Sequence, residues 1–268
     1  MSFNIKFAAC SHPGRVRLNN EDNLYCNDLI LTPELRNEPF SFSGNCDAPC
    51  MFAVCDGMGG EEYGEEASLF AVKTLSEHKI NMLNNFNNFK KLDKAVQDFI
   101  LDANKKLCSL MIERAVRMGT TLALAVICEN YIKCYGIGDS RIYALRDGVL
   151  KQLSHDHTLA LQKVKMRLIT PEEAKHDKDR HVLTRCLGVF NDEMTPEAEV
   201  LEPEKILQGE NYRLLLCSDG LTDMLSDNHI EIILKSAPDV NMACNALLER
   251  ALQAGGKDNV TCIVIDIN

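Results

Sequence analysis

Three aspartates sit where apolar runs begin or end. Asp56 follows "MFAVC", Asp219 follows "YRLLLCS", and Asp258 stands before "NVTCIVIDI". A carboxylate at the end of a buried strand is costly unless it is paired, hydrogen-bonded or bound to a cation. Three of them converging there point to cations. Carboxylates without accompanying histidine or cysteine suit hard, octahedral, partly hydrated ions, hence Mg²⁺ or Mn²⁺ rather than zinc. The glycines after Asp56 fit the same reading: Gly57 allows a sharp turn and offers its carbonyl to the ion, and Gly59 and Gly60 open the next helix. Taken singly, each Asp-Gly pair also reads as an ordinary turn former. The argument therefore rests on the set.

Other chemistries fit less well. "GMGGEEYG" lacks the Lys-Ser/Thr ending of a phosphate loop, and "AGGKDN" precedes a strand rather than a helix. Cys46 and Cys50 have a metal-ligand spacing, but no second close pair and no neighbouring histidine completes four ligands. Most of the twelve cysteines lie singly inside apolar runs, as Cys55, Cys128, Cys217 and Cys262 do. There a thiol behaves as a small hydrophobe, which points to a reducing, cytoplasmic setting. A formal net charge of −10 disfavours a nucleic-acid surface. The opening "MSFNIKFAAC" has no basic start followed by an apolar run, and no stretch approaches the roughly 18 apolar residues of a membrane span. With 268 residues and 46% hydrophobic composition, the chain reads as one domain over 1–268 with a full core.

The elements that must position the carboxylates follow from periodicity. Strands are expected over 3–9, 23–26, 51–55, 121–128, 131–137, 141–146, 212–217 and 260–267, each short and rich in β-branched, aromatic or aliphatic residues. Helices are expected over 61–79 and 89–115; the second places Leu92, Val96, Phe99, Ala103, Leu107 and Leu110 on one face. "YGIGDSRIYALRDGVLKQLS" reads as successive antiparallel strands with "GDS" and "RDG" as turns. Between 155 and 183 the sequence becomes polar and broken, which predicts an exposed helical insertion of the kind that serves as a lid.

Five segments, in order, carry a resemblance to a known family: "GRVRLNNEDNLY", "VCDGMGG", "MGTTLALAVI", "GIGDSRIYALRDG", and "CSDGLTDMLSD" with "GGKDNVTCIVI". Together they resemble the metal-dependent serine/threonine protein phosphatases of type 2C, or PPM. "LSHDHTLA", "ITPEEA" and "LTRCLG" within and after the insertion are similar to the bacterial branch. The resemblance implies an α+β fold, a four-layer αββα sandwich of two antiparallel sheets flanked by helices, with metals at one edge and a flap-like insertion at about 155–183. It implies that Asp56 bridges two ions of Mn²⁺ or Mg²⁺, that Gly57 gives one of them its carbonyl, and that Asp219 and Asp258 bind the other. Glu21 and Asp22 hold waters of the ions, Arg17 grips the substrate phosphate with its planar fork, and Asn259 braces Asp258. Asp139 joins Asp219 at a third, weaker ion, although it also reads as the aspartate of a tight hairpin. His155, His157 and His181 read as insertion surface or helix ends.

The implied activity is hydrolysis of phosphoserine and phosphothreonine in proteins by a metal-activated water, without a covalent enzyme intermediate. The implied partners are phosphorylated proteins, among them a serine/threonine kinase, with no nucleic acid and no membrane; the chain is expected to be a cytoplasmic monomer. Two alternatives stay open: a phosphatase dedicated to one phosphoserine regulator of the anti-sigma-antagonist type, and a non-catalytic binding relative, which loss of a metal-binding aspartate would mark. One position departs from the eukaryotic branch. Met58 stands where those relatives carry a histidine proposed to protonate the leaving alcohol, so the proton donor is open here.

Overall fold

The computed structural model describes residues 4–59, 63–190, 196–207 and 210–267. Phe3, Gly60 and the first two residues of the helix expected over 61–79 lie outside the described residues. In chain order the elements are β1 (Asn4–His12), β2 (Asp22–Cys26), β3 (Leu29–Ile30), β4 (Phe40–Asp47), β5 (Cys50–Met58), α1 (Gly64–Asn84) and α2 (Phe89–Arg114). There follow β6 (Gly119–Thr120), β7 (Leu122–Ile127), β8 (Tyr131–Ile137), β9 (Arg141–Arg146), β10 (Val149–Gln152), α3 (Leu159–Lys165) and α4 (Pro171–Ala174). The chain closes with β11 (Glu199–Val200), β12 (Glu204–Lys205), β13 (Tyr212–Cys217), α5 (Asp219–Thr222), α6 (Asp227–Ser236), α7 (Val240–Gln253) and β14 (Val260–Ile267).

Two antiparallel sheets form the centre. One runs β10-β9-β13-β14-β1-β4; the other runs β11-β8-β7-β5-β2-β3, with β12 on β8 and β6 on β5. Side-chain alternation divides the apolar residues into three layers. Along β5, Phe52 and Val54 face the space between the sheets, whereas Met51, Ala53 and Cys55 face α1 and α2. Along β14, Ile263, Ile265 and Ile267 point between the sheets, while Val260, Cys262 and Val264 pack under α6 and α7. Both faces of these strands are covered, which is why "LALAVI" and "VTCIVIDI" are almost continuously apolar. The order is helices, sheet, sheet, helices, as the expected αββα sandwich requires.

Local signals start and stop the helices. Asn88 caps α2 by accepting from the Lys91 amide, and the helix ends where Ala115 takes the left-handed conformation at φ 55°. Ser226 and Asp239 cap α6 and α7 in the same way. The sequence reading did not identify these two helices. It also missed β4, whose "FSFSGNCD" is largely exposed and polar, as suits an edge strand. The polar segment after β10 folds as α3 and α4. Its ends are pinned by hydrogen bonds from the His157 amide to the Gly138 carbonyl (2.9 Å) and from the Thr184 amide to the His157 carbonyl (2.8 Å). The twelve cysteines form no disulfide. Among the described residues no helix is long and apolar enough to cross a membrane.

Candidate metal centre

The two sheets bring five aspartates to one edge. Asp22 opens β2 and pairs in register with Asp56 on β5. Asp139 lies in the turn between β8 and β9. Asp219 begins α5, and Asp258 lies two residues before β14. Two expectations are corrected here. Asp56 does not end its strand: β5 continues through Gly57 and Met58, which pair with Thr120 and Gly119 of β6. Asp219 belongs to the first turn of a helix rather than to the end of β13, because Ser218 already has extended backbone at the N-cap.

The role of Gly57 also differs from the expected turn. A Cβ at Gly57 would lie 1.9 Å from the Gly64 carbonyl oxygen and 2.6 Å from that of Glu21. The residue must be glycine because the start of α1 and the loop before β2 press against the strand, not because the chain bends there. The Gly57 amide donates to the Glu21 carbonyl at 3.1 Å. Asp56 is fixed through its backbone: its amide donates to Thr121 Oγ1 (2.9 Å), and its carbonyl accepts from Thr120 Oγ1 (2.9 Å) and the Thr121 amide (2.9 Å).

Asn259 ties the remaining pieces together. Its amide donates to Asp258 Oδ1 (2.9 Å), its Oδ1 accepts from the Glu21 amide (2.8 Å), and its Nδ2 donates to the carbonyls of Pro13 (3.0 Å) and Asn19 (2.8 Å). The expected brace of Asp258 is thus also the clamp of the loop that carries Arg17. Arg17, half exposed, donates from Nη2 to Asp258 Oδ2 at 2.7 Å. A single contact of this kind leaves other guanidinium donors for a phosphate.

Electrostatically the cluster is strained. Burial, followed by the charges of Asp22, Asp219, Asp139 and Asp258, holds the Asp56 carboxyl well above the usual carboxylate range. Burial, followed by Asp219 and Asp156, does the same to Asp139. Burial, with Glu65 next, raises Glu21. Asp22 is buried; its Oδ2 accepts from Ser218 Oγ at 2.7 Å, and its Oδ1 has no hydrogen-bond partner among the described residues. Carboxylates this crowded, one with an orphaned buried oxygen, match hard divalent cations: the donors are oxygens, and the missing ingredient is positive charge.

One residue at the site went unnoticed in the sequence. His181 lies on the exposed insertion, as expected, but its Nδ1 is also 3.4 Å from Asp219 Oδ2 and its Nε2 3.3 Å from Asp223 Oδ2. With Asp139 and Asp219 it offers three ligand atoms within 4.8 Å of one another. Nothing local in "DRHVL" signals this; the insertion must fold back over α5 first. The other two histidines stay off the cluster. His155 Nδ1 pairs with Glu199 Oε1 at 2.6 Å; His157, expected at the insertion surface, is instead buried, because its Nδ1 accepts from the Gly138 amide at 3.2 Å and holds the ring against the turn after β8.

Comparison with known proteins agrees with this geometry. Residues 34–258 match the family model described as Protein phosphatase 2C. The chain is 35% identical over 266 residues to the serine/threonine protein phosphatase PstP of Mycobacterium tuberculosis, covering 98% of this chain and 45% of that protein, so it spans about half the length of that relative. It is 30% identical over 262 residues to the serine/threonine phosphatase stp of Listeria innocua, covering 95% and 93% of the two chains. A crystal structure of the catalytic domain of the phosphatase PstP in complex with two manganese ions superposes with a TM-score of 0.73 at 32% identity, covering 99% of both chains. With the family model matched over residues 34–258 of the chain, and a relative at 30% identity covered nearly end to end, this chain belongs to the protein phosphatase 2C family.

Proposed function

We propose that the chain hydrolyses phosphoserine and phosphothreonine in proteins, using Mn²⁺ or Mg²⁺ held by the carboxylate cluster. The observation that carries this reading is the meeting of Asp22, Asp56, Asp139, Asp219 and Asp258 from five separate places in the chain, beside one exposed arginine. Asp56, the Gly57 carbonyl, Asp219 and Asp258 would hold two such ions, with Asp56 shared between them. Glu21 and Asp22 would position their waters, and Asp139 with Asp219 would hold a third, weaker ion. When bound, such ions supply Lewis acidity, which makes a water nucleophilic near neutral pH and offsets phosphoryl charge.

The chain's own groups do the rest. Arg17 exchanges its contact with Asp258 for phosphate oxygens, positioning the phosphoryl group and balancing its charge in the transition state. Asn259 keeps the arginine loop fixed relative to Asp258, so phosphate and nucleophile meet in line. Met58 cannot donate a proton, so the leaving serine or threonine alkoxide takes one from water. In this reading residues 1–268 form one phosphatase domain, and the segment at about 155–183 acts as a flap that meets protein substrates. The substrates include a serine/threonine kinase, and the chain works as a cytoplasmic monomer.

The test is activity of purified, metal-stripped protein on phosphoserine and phosphothreonine peptides, with Mn²⁺ and Mg²⁺ added back. Activity should vanish in chelator and return with either ion, and Asp56→Asn should lower the rate by orders of magnitude with the fold intact. Full turnover in excess EDTA would overturn the proposal.

A further inference from the structure

The loop that carries Arg17 also carries Arg15, which the reaction described above leaves unused. Arg15 and Lys257 are both exposed, and neither makes an ion pair among the described residues, on a chain of net charge −10. Backbone contacts hold the two residues together. The Arg15 amide donates to the Gly256 carbonyl at 2.7 Å, and a Cβ on Gly14 would lie 2.3 Å from the Asp258 carbonyl oxygen, so the loop before β2 presses on the loop after α7. The two cationic stems cross neighbouring glycines: a Cβ on Gly256 would lie 3.2 Å from Arg15 Cγ, and one on Gly255 would lie 3.9 Å from Lys257 Cε. Side by side, the two cations repel. The carbonyl end of α7, capped at Ala254, offsets part of that repulsion, but no carboxylate does. Burial, with the Arg15 charge next, lowers the His12 pKa below its ordinary value, so the neighbouring imidazole feels the same uncompensated charge.

Resting on the phosphatase reading above, we propose that Arg15 and Lys257 form a second anion subsite of the same reaction. It takes a carboxylate or a second phosphate of the substrate, within two residues of the phosphorylated one. Three observations carry this. The first is charge: two adjacent cations without a carboxylate are complementary to an anion, and the guanidinium fork with the lysine ammonium supplies donors for either kind. The second is place. Arg15 stands two residues from Arg17, and Lys257 stands next to Asp258, to which Arg17 is bonded at 2.7 Å. With consecutive Cα atoms about 3.8 Å apart, both lie within about 8 Å of the residues that hold the phosphate, a span that two residues of an extended peptide cover in either direction. The third is order: Asn259 and the Gly14 and Gly256 contacts already fix the backbone that presents the two cations, so binding need not order it. On a chain that is acidic as a whole, such a pair selects the substrate by a local attraction.

The experiment compares phosphothreonine peptides that carry alanine, glutamate, lysine or a non-hydrolysable phosphonate analogue of phosphoserine at the flanking positions, together with para-nitrophenyl phosphate, all with Mn²⁺. At low salt the wild-type enzyme should prefer an anionic peptide over the alanine peptide by about fivefold in kcat/KM, carried by KM, as two exposed ion pairs supply. A gain with glutamate assigns a carboxylate to the subsite; a gain with the phosphonate alone assigns a second phosphate. The preference should fade at about 0.5 M salt, a measurement that needs no variant. Arg15→Gln with Lys257→Gln should abolish it and leave aryl phosphate turnover unchanged, and Arg15→Glu with Lys257→Glu should turn it toward the lysine peptide. Equal kcat/KM for the anionic and alanine peptides, a preference that salt does not weaken, or one that survives the double glutamine variant would overturn the proposal. Failure of the wild type on the aryl phosphate with metal present would strike the phosphatase reading instead.

Discussion

Replacing Asp22 by Asn should make the metal-free protein more stable and the metal-loaded protein gain less from its ions. Asp22 is the carboxylate with an orphaned oxygen: buried at the start of β2, bonded through Oδ2 to Ser218, and unpartnered at Oδ1. Burial, against the pull of the Ser218 and Thr261 hydroxyls and with the charges of Asp219 and Asp258 added, pushes its carboxyl up to about 7. A rise from the ordinary value near 4 to about 7, at about 1.4 kcal/mol per pKa unit, amounts to about 4 kcal/mol, or about 2–4 kcal/mol once coupling to the neighbouring acids is allowed for. The folded-state value is raised. This group's contribution is therefore most favourable below pH 4 and is lost as pH climbs through 7. Asn does not titrate, and its amide donors face the neighbouring carboxylates. The variant should melt about 5–10 °C above wild type in EDTA at pH 8, at about 2–4 °C per kcal/mol for a chain of this size, with a much smaller gap at pH 5. Saturating Mn²⁺ should then raise the wild-type melting temperature by more than it raises the variant's. A variant that melts below wild type in EDTA at pH 8, or an advantage equal at pH 5 and pH 8, would refute the reasoning.

The turn between β8 and β9 gives a second expectation: Asp139→Ala should raise the Mn²⁺ concentration for half-maximal activity on phosphopeptides about tenfold, and His181→Ala should act in the same direction. An unchanged titration would return Asp139 to the part of a hairpin residue. Met58→His should speed hydrolysis of phosphoserine peptide selectively over para-nitrophenyl phosphate, by at least about tenfold, because only the alkoxide needs a proton in the transition state; equal gains on both substrates would count against it. His157 is buried with Nδ1 occupied by the Gly138 amide, and burial, with Arg185 next, lowers its pKa to about 4. Its folded-state value lies below the unfolded one. Stability present above pH 6.5 is therefore lost as pH falls toward 4, by about 2 kcal/mol after solvent screening. Thermal melts of His157→Gln across that range should be flatter than those of wild type.

Asp56, Asp219 and Asp258 were legible in the sequence because each stands beside an apolar run of the kind a buried strand contains, whereas Glu21, Asp22 and Asp139 were placed only by the resemblance. Asp56 after "MFAVC" and Asp258 before "NVTCIVIDI" signal themselves by local cost: a charge next to such a run needs a compensating partner. The long faces of α1 and α2, and the antiparallel strands around "GDS" and "RDG", were equally readable from spacing. Gly57 was legible as a residue but not in its reason, since the atoms that forbid a side chain belong to Gly64 and Glu21. β4 was missed because an edge strand with one exposed face carries too little apolar signal.

Residue type and periodicity by themselves determined which segments must be buried and which groups could bind a cation; the ordered motifs carried the resemblance to a phosphatase of type 2C. Tertiary structure alone decided who stands next to whom. β14, last in the chain, slots between β1 and β13 and brings Asn259 to Glu21 across 238 residues. The insertion after β10 returns to set His181 against Asp219 and Asp223. The end of β5 meets β6 in a pairing that no local pattern announces. The reason is physical: periodicity reports which face of an element avoids water, whereas the partner chosen across the sheet depends on register and packing between segments far apart in sequence.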